Sequence, residues 1–298
     1  MIFACGEGII SAEMGFAKTF VLYYILIMMN RENSNMNDSM PPVKNRFLYM
    51  YRVFMKWTSY FVFGFGSLIL ATLLFPVMTI FIHPKEKFQK YTRRLISVSF
   101  RGFIKFMTFI QIVIFDPGDR DVFRSLKSRI IVANHPSHLD VVMLISLIPN
   151  ADVIVRGDLA KNFVVREIIR RLYILNSIDF NSMVSACKKS LDQGNCIVIF
   201  PEGTRTPRSG LMRLKKGAAR LSLLTGTAIV PVHIGGTDKY GLGKGDPWNA
   251  FNHTEKYIYS LRIQKQLNPE KYAGIEIPKA VRRLNAEIND ILKYPENK

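Results

Sequence analysis

The clearest pattern in the chain is one long stretch without charge. Residues 57–82, WTSYFVFGFGSLILATLLFPVMTIFI, form a 26-residue apolar run, which is long enough to cross the hydrocarbon core of a bilayer with some tilt. Pro76, Gly64 and Gly66 interrupt the run and allow a kink or a re-entrant hairpin. A buried helix of a soluble core is the alternative, but such helices seldom run this far without a charge. The pattern therefore predicts a membrane segment.

Basic residues flank this run on both sides. They are Lys44, Arg46, Arg52 and Lys56 before it, and Lys85, Lys87, Lys90, Arg93, Arg94, Arg101 and Lys105 after it. In the second flank Phe88, Tyr91, Leu95 and Val98 recur at helical spacing, which predicts an amphipathic helix that lies on lipid. A hairpin with both ends on the cytoplasmic face would explain the charge on both flanks.

From about residue 109 onward, short apolar runs alternate with helical periodicity. The predicted strands are 109–115, 129–133, 152–156, 173–180, 196–200 and 228–234. The predicted helices are 139–148, 161–172, 182–193, 214–225 and 277–293. This alternation is typical of a mainly parallel sheet that helices cover on both faces. The predicted fold is therefore α/β, with a mainly parallel sheet flanked by helices and an N-terminal hydrophobic helical segment that binds the membrane.

The pattern divides the chain into three parts. Residues 1–45 are a poorly defined N-terminal segment, with a weaker apolar stretch at 14–29 and a polar linker that reads as disordered. Residues 46–108 are expected to form the hydrophobic and amphipathic membrane-binding helices. Residues 109–298 are expected to form the α/β domain.

Composition adds a strong positive charge. The chain has 41 Lys and Arg against 23 Asp and Glu, a formal charge of +18, which favours anionic partners such as membrane surfaces and phosphates. The alternative is a generally basic, solvated surface. The three cysteines are odd in number and form no CxxC pair, so a disulfide framework and a zinc knuckle are both disfavoured. A reducing, cytoplasm-facing compartment fits this usage.

The first candidate site is NHPSHLD at residues 134–140, between a predicted strand and a predicted helix. Such strand ends are where α/β enzymes place reactive groups. Ser137 and Asp140 have capping-box spacing. A carboxylate beside one nitrogen of His135 would fix its tautomer and leave the other nitrogen to take a proton from a hydroxyl. A metal site through His135, His138 and Asp140 is the alternative, although no further His or Cys lies at motif spacing.

The second candidate site is FPEGTR at residues 200–205, where another predicted strand ends. Glu202 and Arg205 lie on one short turn, and Gly203 lets the backbone approach a ligand closely. More cations follow: Arg208, Arg213, Lys215 and Lys216. Because guanidinium groups bind phosphate with two hydrogen bonds, the segment predicts an anion pocket. A charged surface turn is the alternative.

The third segment is AIVPVHI at residues 228–234. A proline is unusual in a central parallel strand, so Pro231 indicates either an edge strand or a functional constraint.

NHPSHLD, FPEGTR and AIVPVHI, in this order, resemble the glycerolipid acyltransferases of the lysophosphatidic acid acyltransferase type over roughly residues 100–240. In that family the His of HxxxxD is the general base and its Asp orients it, which implies these roles for His135 and Asp140. The family's hydrophobic N-terminal helices rest on the membrane, as expected here for residues 46–108.

The resemblance also implies the substrate-binding residues. The family holds the acceptor's phosphate with the EGTR segment, which is Glu202, Gly203, Thr204 and Arg205 in this chain. Its VPV segment lines the acyl or acceptor site, which is Val230, Pro231 and Val232 here. The chain departs from the family at another phosphate contact, because Asn181 stands where an Arg is expected. Arg170 and Arg171 are candidates to replace it.

The function expected from these residues is transfer of a fatty acyl group from acyl-CoA or acyl carrier protein to the hydroxyl of a lysophospholipid such as 1-acylglycerol 3-phosphate, in phospholipid biosynthesis. Backbone N–H groups of the 134–138 turn are expected to stabilise the oxyanion. The chain has no GxSxG segment, so a covalent serine intermediate is not expected. No cofactor or metal is expected beyond the thioester co-substrate.

The expected location is a bacterial inner membrane, with the catalytic domain facing the cytoplasm. A non-phosphorylated lipid or polyene-type acceptor is the alternative substrate. The rival class is a non-catalytic basic scaffold on the bilayer, which explains the charge and the apolar run but neither motif. Nucleic-acid binding is disfavoured, because no nucleic-acid motif occurs and much of the charge flanks the apolar run.

Overall fold

The computed structural model describes residues 40–155, 174–175, 179–208 and 212–295. The apolar stretch at 14–29, the predicted helix at 161–172 and the candidate cations Arg170 and Arg171 lie outside the described residues.

The described part contains eight α-helices and seven strands. The helices are α1 (Arg46–Ile69), α2 (Phe75–Phe81), α3 (Lys85–Phe109), α4 (Arg120–Ser125), α5 (Asp140–Leu147), α6 (Phe180–Asp192), α7 (Gly217–Thr225) and α8 (Ile277–Lys293). The strands are β1 (Val113–Asp116), β2 (Ile130–Ala133), β3 (Ala151–Val155), β4 (Ile174–Leu175), β5 (Cys196–Ile199), β6 (Ile229–Gly236) and β7 (Tyr257–Ile263). A π-helical turn, Leu70–Leu74, joins α1 to α2.

The strands form one sheet in the order β1-β7-β6-β2-β5-β3-β4. Every neighbouring pair is parallel except β6 and β7, which are antiparallel. Buried apolar residues cover both faces of the sheet. One cluster includes residues from α3 and α5, and the other includes residues from α6, α7 and α8. The predicted fold class, a mainly parallel sheet between helices, is confirmed.

Two predicted strands differ in their limits. The strand expected at 109–115 begins at Val113, because α3 continues to Phe109 with Phe103, Ile104 and Met107 buried on one side. In the range 173–180 only Ile174–Leu175 is a described strand, and α6 already begins at Phe180. Its start is set by Asp179, whose carboxylate accepts a hydrogen bond from the Ser182 N–H, as an N-cap does.

Pro231 lies in a central strand and not at an edge, so that alternative was wrong. β6 pairs with β2 on one side and with β7 on the other. Pro231 can occupy this position because the pairing with the β7 side changes there: Val232 faces Ile263, but Ile229 faces Leu267, which leaves one extra residue opposite the proline. The Gln264 N–H still donates to the Pro231 carbonyl at 2.8 Å. This irregularity needs no N–H from residue 231.

The apolar run and its N-terminal flank form one continuous helical stretch, Arg46–Phe81, of 36 residues. The π-helical turn ends just before Pro76, which lacks the N–H that a regular helix would use there. Arg46–Phe81 is the one helix of the described residues that is long and apolar enough to cross a membrane. The chain then reverses, and α3 packs on α5.

An ion pair joins α3 to the sheet. The Arg93 Nε donates to Asp152 Oδ1 at 2.6 Å and its Nη2 donates to Oδ2 at 3.0 Å, with both side chains largely buried. Asp152 lies in β3, and Ser190 on α6 also donates to it. The amphipathic helix expected after the apolar run is therefore present and is fixed to the α/β domain.

Candidate active site

The two main motifs meet because β2 and β5 are parallel neighbours. Ile130 to Val132 pair with Ile197 to Ile199, so both strands end at the same edge of the sheet. NHPSHLD follows β2 and FPEGTR follows β5. The carboxyl edge of a parallel sheet is the usual position of an α/β active site.

His135 and Asp140 form a hydrogen-bonded pair at this edge. The His135 Nδ1 lies 2.8 Å from Asp140 Oδ2. The Asp140 side chain is fully buried, whereas that of His135 is 17% exposed. The ring of Phe200 stacks against the imidazole, with the ring centroids 4.1 Å apart. Because Asp140 is an acceptor when ionised, Nδ1 carries the hydrogen, and Nε2 is the nitrogen that can accept a proton from a substrate.

Asp140 is held by Ser137 as well. Its Oδ2 accepts from the Ser137 N–H at 2.7 Å, and its Oδ1 accepts from the Ser137 hydroxyl at 2.7 Å. The Leu139 N–H in turn donates to Ser137 Oγ at 3.2 Å. Asp140 is the first residue of α5, whose N-cap is Leu139, so these bonds hold the turn that leads into the helix and do not form a full capping box. The carboxylate is thus fixed by three donors before any substrate binds.

Glu202 contacts the turn at residues 134–140. Its Oε1 accepts from the His135 N–H at 3.1 Å and from the Thr206 hydroxyl at 2.6 Å. The Thr206 N–H donates to the His135 carbonyl at 2.7 Å. Oε2 of Glu202 is buried and has no hydrogen-bond partner among the described residues. Burial raises the pKa of Glu202, and the bonds from Thr206 and His135 partly oppose this. In this structure the side chain positions His135.

A second bridge fixes the other side of the turn. The Asn134 side-chain amide donates to the Ile234 carbonyl at 2.9 Å, and its oxygen accepts from the Ile234 N–H at 2.7 Å. Ile234 belongs to β6, so Asn134 replaces two backbone bonds where β2 has ended. Val230, Pro231 and Val232 are buried in that strand next to β2.

The remaining EGTR residues, Gly203, Thr204 and Arg205, form the loop itself. Gly203 has a positive φ of 67°, a conformation that favours glycine, and the amine of Lys215 would lie 2.8 Å from an added Cβ. Thr204 is exposed. Arg205 donates to the carbonyls of Leu242 and Gly243 at 3.1 and 3.2 Å, so it also holds the connection between β6 and β7. Asn181, the departure from the family pattern, is exposed in the first turn of α6.

A polar cavity of about 300 Å³ lies beside the turn at residues 134–140. Its walls include Pro136 and Thr206, which adjoin His135, together with Arg208, Asp238 and Asp246. Arg208 donates to both oxygens of Asp238 at 3.0 and 2.8 Å, and more weakly to Asp246 at 3.5 Å. Burial raises the pKa of Asp246, while Arg208 opposes the shift. This cavity is a concave site of suitable polarity for an anionic headgroup.

His138 is not among the residues that line this cavity. One ring nitrogen lies 3.2 Å from the Tyr60 hydroxyl and the other lies 3.1 Å from the Leu242 carbonyl. His138 therefore connects α1 to the β6–β7 connection and does not converge with His135 on one point. Within the described ranges, no group of three or more His, Cys, Asp or Glu side chains is arranged to hold a metal ion.

The expectation that backbone N–H groups of the 134–138 turn stabilise the oxyanion stays a prediction. Three N–H groups of the turn, those of His135, Ser137 and Leu139, are engaged within the turn and with Glu202 and Thr206. They are already hydrogen-bonded before a substrate binds.

Sequence reasoning missed Thr206 and Tyr259. Thr206 directly follows FPEGTR, the segment that predicted the anion pocket. Tyr259 lies on β7, a strand that was not predicted, although Tyr257, Tyr259 and Leu261 alternate with partly exposed residues as a strand requires. The Tyr259 hydroxyl lies 2.7 Å from Ser137 Oγ.

The comparisons with known proteins agree on one family. Residues 118–235 match the family model described as Acyltransferase. The chain is 28% identical to 1-acyl-sn-glycerol-3-phosphate acyltransferase BAT2 of Brassica napus over 187 residues, which cover 60% of this chain and 52% of that protein. It is 31% identical to the 1-acyl-sn-glycerol-3-phosphate acyltransferase of Borreliella burgdorferi over 121 residues, which cover 37% of this chain and 47% of that protein. The chain spans about half the length of the curated relatives it matches.

A solved structure supports the same fold. The crystal structure of PlsC from Thermotoga maritima, a 1-acyl-sn-glycerophosphate acyltransferase, superposes with a TM-score of 0.56 and 22% identity. The superposition covers 85% of this chain and 98% of that one. The resemblance that the motifs indicated is therefore confirmed.

Proposed function

We propose, from the match of residues 118–235 to the family model described as Acyltransferase, that the chain transfers a fatty acyl group from a thioester to the hydroxyl of a 1-acylglycerol 3-phosphate in glycerolipid synthesis. The observation that carries this proposal is the buried Asp140 carboxylate, 2.8 Å from His135 Nδ1 at the carboxyl edge of the sheet. The names of the relatives support the choice of acceptor.

The mechanism follows from that pair. His135 Nε2 takes the proton of the acceptor hydroxyl while the oxygen attacks the thioester carbonyl. Asp140 stabilises the imidazolium that forms. The tetrahedral intermediate then collapses, the C–S bond breaks, and the imidazolium returns its proton to the leaving thiolate. The products are an ester and a free thiol. His135 ends the cycle neutral, and the reaction requires no oxidant or reductant.

We place the acceptor's phosphate in the cavity beside His135, with Arg208 as its anchor. Arg208 already binds the Asp238 carboxylate with two hydrogen bonds, and Asp238 is 46% exposed at the surface. A phosphate that reaches this position could replace Asp238 on the same guanidinium group, because both present paired oxygens. Arg205, the anchor expected from the motif, contributes by fixing the Leu242 and Gly243 carbonyls near the cavity.

A non-phosphorylated acceptor is the second candidate. The observation that favours it is the same Arg208, which is neutralised by two carboxylates, Asp238 and Asp246. A neutral alcohol headgroup would leave these pairs intact. Removal of Arg208 should therefore raise the KM for a phosphorylated acceptor and leave the KM for a neutral acceptor nearly unchanged.

The acceptor is tested by kinetics in lipid vesicles. Thiol release and ester formation are measured with 1-acylglycerol 3-phosphate and with monoacylglycerol, for the wild type, Arg208→Ala and Arg220→Ala. Arg220, which stacks on Phe180 on the opposite face of the sheet, is the matched control. We expect Arg208→Ala to raise the KM for the phosphorylated acceptor at least tenfold, the size of one charge-assisted bond. Activity with monoacylglycerol alone would establish the second candidate.

We propose that the chain binds one face of a bilayer through α1 and α2. On the side of the helical stretch that faces the domain, Arg52, Lys56 and Ser59 are buried, and Phe63 and Leu70 pack against the core. The stretch is apolar on the side that faces outward. There the exposed large side chains are Phe47, Met50, Phe54, Phe61, Phe65, Leu73, Ile80 and Phe81. A helix of a water-soluble protein would be polar on this outward side, and an apolar patch of this extent needs a covering phase such as lipid.

Contacts with the domain lie on both sides of the apolar run. Near its start, Lys56 donates to the carbonyls of Gly241 and Ala250. After its end the chain turns into α3, which Arg93 fixes to β3. A stretch of 36 residues is about 54 Å long. A helical stretch whose two flanks contact the same domain fits a position in the plane of the interface better than a crossing.

The donor and the location complete the proposal. Acyl-CoA or acyl carrier protein supplies the thioester from the cytoplasmic side of a bacterial inner membrane. The outward stripe of α3, with Lys87, Lys90, Arg94 and Lys105 exposed, would face anionic lipid headgroups, at about 1 kcal/mol for each basic residue. Extraction of membranes tests the attachment: detergent should release the chain, and 1 M salt should not. Release by salt alone would exclude insertion of the apolar face.

A further inference from the structure

A chain of hydroxyl groups connects β7 to the catalytic pair. The Tyr259 hydroxyl lies 2.7 Å from Ser137 Oγ, and Ser137 Oγ lies 2.7 Å from Asp140 Oδ1. On the other side of the carboxylate, Oδ2 lies 2.8 Å from His135 Nδ1. Tyr259, Ser137 and Asp140 are all fully buried. The chain therefore runs without solvent from the core of the sheet to the imidazole.

The direction of each hydrogen bond follows from the chemistry of the groups. An ionised Asp140 only accepts, so the single hydrogen of the Ser137 hydroxyl must point at it. Ser137 Oγ then has two lone pairs left. The Leu139 N–H donates to it at 3.2 Å, and the Tyr259 hydroxyl supplies the second donor. With both lone pairs used, the Ser137 hydroxyl has one orientation, and that orientation serves the carboxylate.

Tyr259 is itself held in place. Its ring packs under the amine of Lys239, which lies 4.6 Å from the ring centroid. That amine is fixed by the carbonyls of Gly235 and Ile258, at 3.3 and 2.8 Å, and by that of Thr237. Burial lowers the pKa of Lys239 to about 8, while Asp140 is the leading charge that opposes this shift. In such a place the phenol oxygen has little freedom to move away from Ser137.

We infer that Tyr259 is a positioning residue for acyl transfer: its hydroxyl orients Ser137 on Asp140, and so keeps the carboxylate aligned with His135. The inference rests on the proposed function, since it concerns the same catalytic pair. The phenol touches neither substrate nor reacting atoms. Its effect should therefore appear in the rate of the chemical step and not in substrate binding. Hydrogen bonds in series polarise one another, so loss of the first weakens the rest.

Tyr259→Phe tests this inference, and Tyr257→Phe is its matched control. Tyr257 is equally buried, lies two residues earlier on the same face of β7, and donates its hydroxyl to the Tyr240 carbonyl at 2.7 Å. Both variants lose one buried hydroxyl and one hydrogen bond, so their thermal midpoints should fall by similar amounts. We expect kcat to fall about three- to tenfold in Tyr259→Phe, with KM for donor and acceptor within about twofold of wild type. Tyr257→Phe should keep kcat within about twofold.

A double-mutant cycle separates positioning from general packing. In a Ser137→Ala background the link to Asp140 is already broken, so Tyr259→Phe should lower kcat no further. Equal kcat values in Tyr259→Phe and Tyr257→Phe, or additive losses in the cycle, would overturn the inference. If Tyr259→Phe does not fold, Ser137→Ala alone decides: kcat should fall at least threefold, and an unchanged kcat overturns it. Lack of activity in the wild type and in Tyr257→Phe would instead refute the proposed function.

Discussion

Asp140→Asn isolates the charge of the catalytic carboxylate. The amide oxygen can take the place of Oδ2, where the ring Nδ1–H of His135 and the backbone N–H of Ser137 both donate. The amide nitrogen cannot take that place, because it would face two donors. It must lie at the Oδ1 position and donate to Ser137 Oγ, whose hydrogen can turn to the Tyr259 oxygen. The variant should therefore fold normally and retain the His135 tautomer.

The magnitude follows from the lost attraction between carboxylate and imidazolium. A nitrogen–oxygen distance of 2.8 Å places the two charge centres about 4 Å apart, which is worth about 4 kcal/mol at an effective dielectric constant of about 20. That energy is available only after His135 has taken the proton, so it stabilises the transition state and not the free enzyme. We expect kcat to fall about 10³-fold.

The assay is release of free thiol from the acyl thioester at saturating donor and acceptor, with the thermal midpoint measured in the same vesicles. The expected result is the large loss of kcat with a midpoint within about 2 °C of wild type. Asp140→Ala is the contrast, because it leaves three donors without an acceptor and should also lower the midpoint. An Asp140→Asn variant that keeps more than a tenth of the wild-type kcat at a normal midpoint would refute the reasoning.

Two further perturbations separate the roles around the site. His138→Ala should reduce kcat less than tenfold, because its ring joins Tyr60 and the Leu242 carbonyl; a loss as large as that of His135→Ala would show that both histidines act on one group. Glu202→Gln should raise the thermal midpoint at pH 7 by a few degrees, since Oε1 keeps its donors and the unpartnered buried oxygen loses its charge. Because burial raises the pKa of Glu202, wild-type stability from this group is full below its ordinary value of 4.5 and is lost at higher pH. The advantage of the variant should therefore vanish below about pH 4, and a constant difference from pH 4 to 8 would contradict this.

The fold and the contact between His135 and Asp140 were predictable because local signals agreed there. β2 and β5 are short apolar strands that end in polar motifs, and parallel pairing then brings His135 and Glu202 together. The spacing of Ser137 and Asp140 indicated the start of α5. The role of Glu202 was not predictable in the same way. Its position in a loop gave a charge at the site, but only the tertiary contact shows that the carboxylate binds the backbone of His135.

The remaining features depend on contacts between distant segments. Tyr259 reaches Ser137 from 122 residues away, so no local pattern around either residue shows the contact. Pro231 can lie in a central strand because the pairing with the β7 side changes at Gln264. No pattern within 228–234 reveals this change. The cations Arg52 and Lys56 read as a basic flank of a membrane segment, yet both are buried against the domain.

The most direct test of the central claim is product analysis with the purified chain in lipid vesicles. The acyl thioester and 1-acylglycerol 3-phosphate are supplied to the wild type and to His135→Ala, and the diacyl product and the free thiol are quantified together. The account predicts equal amounts of product and thiol from the wild type, and a loss of about 10² to 10⁴ in rate for His135→Ala at unchanged membrane content. Equal rates of diacyl product formation in the two proteins would contradict it.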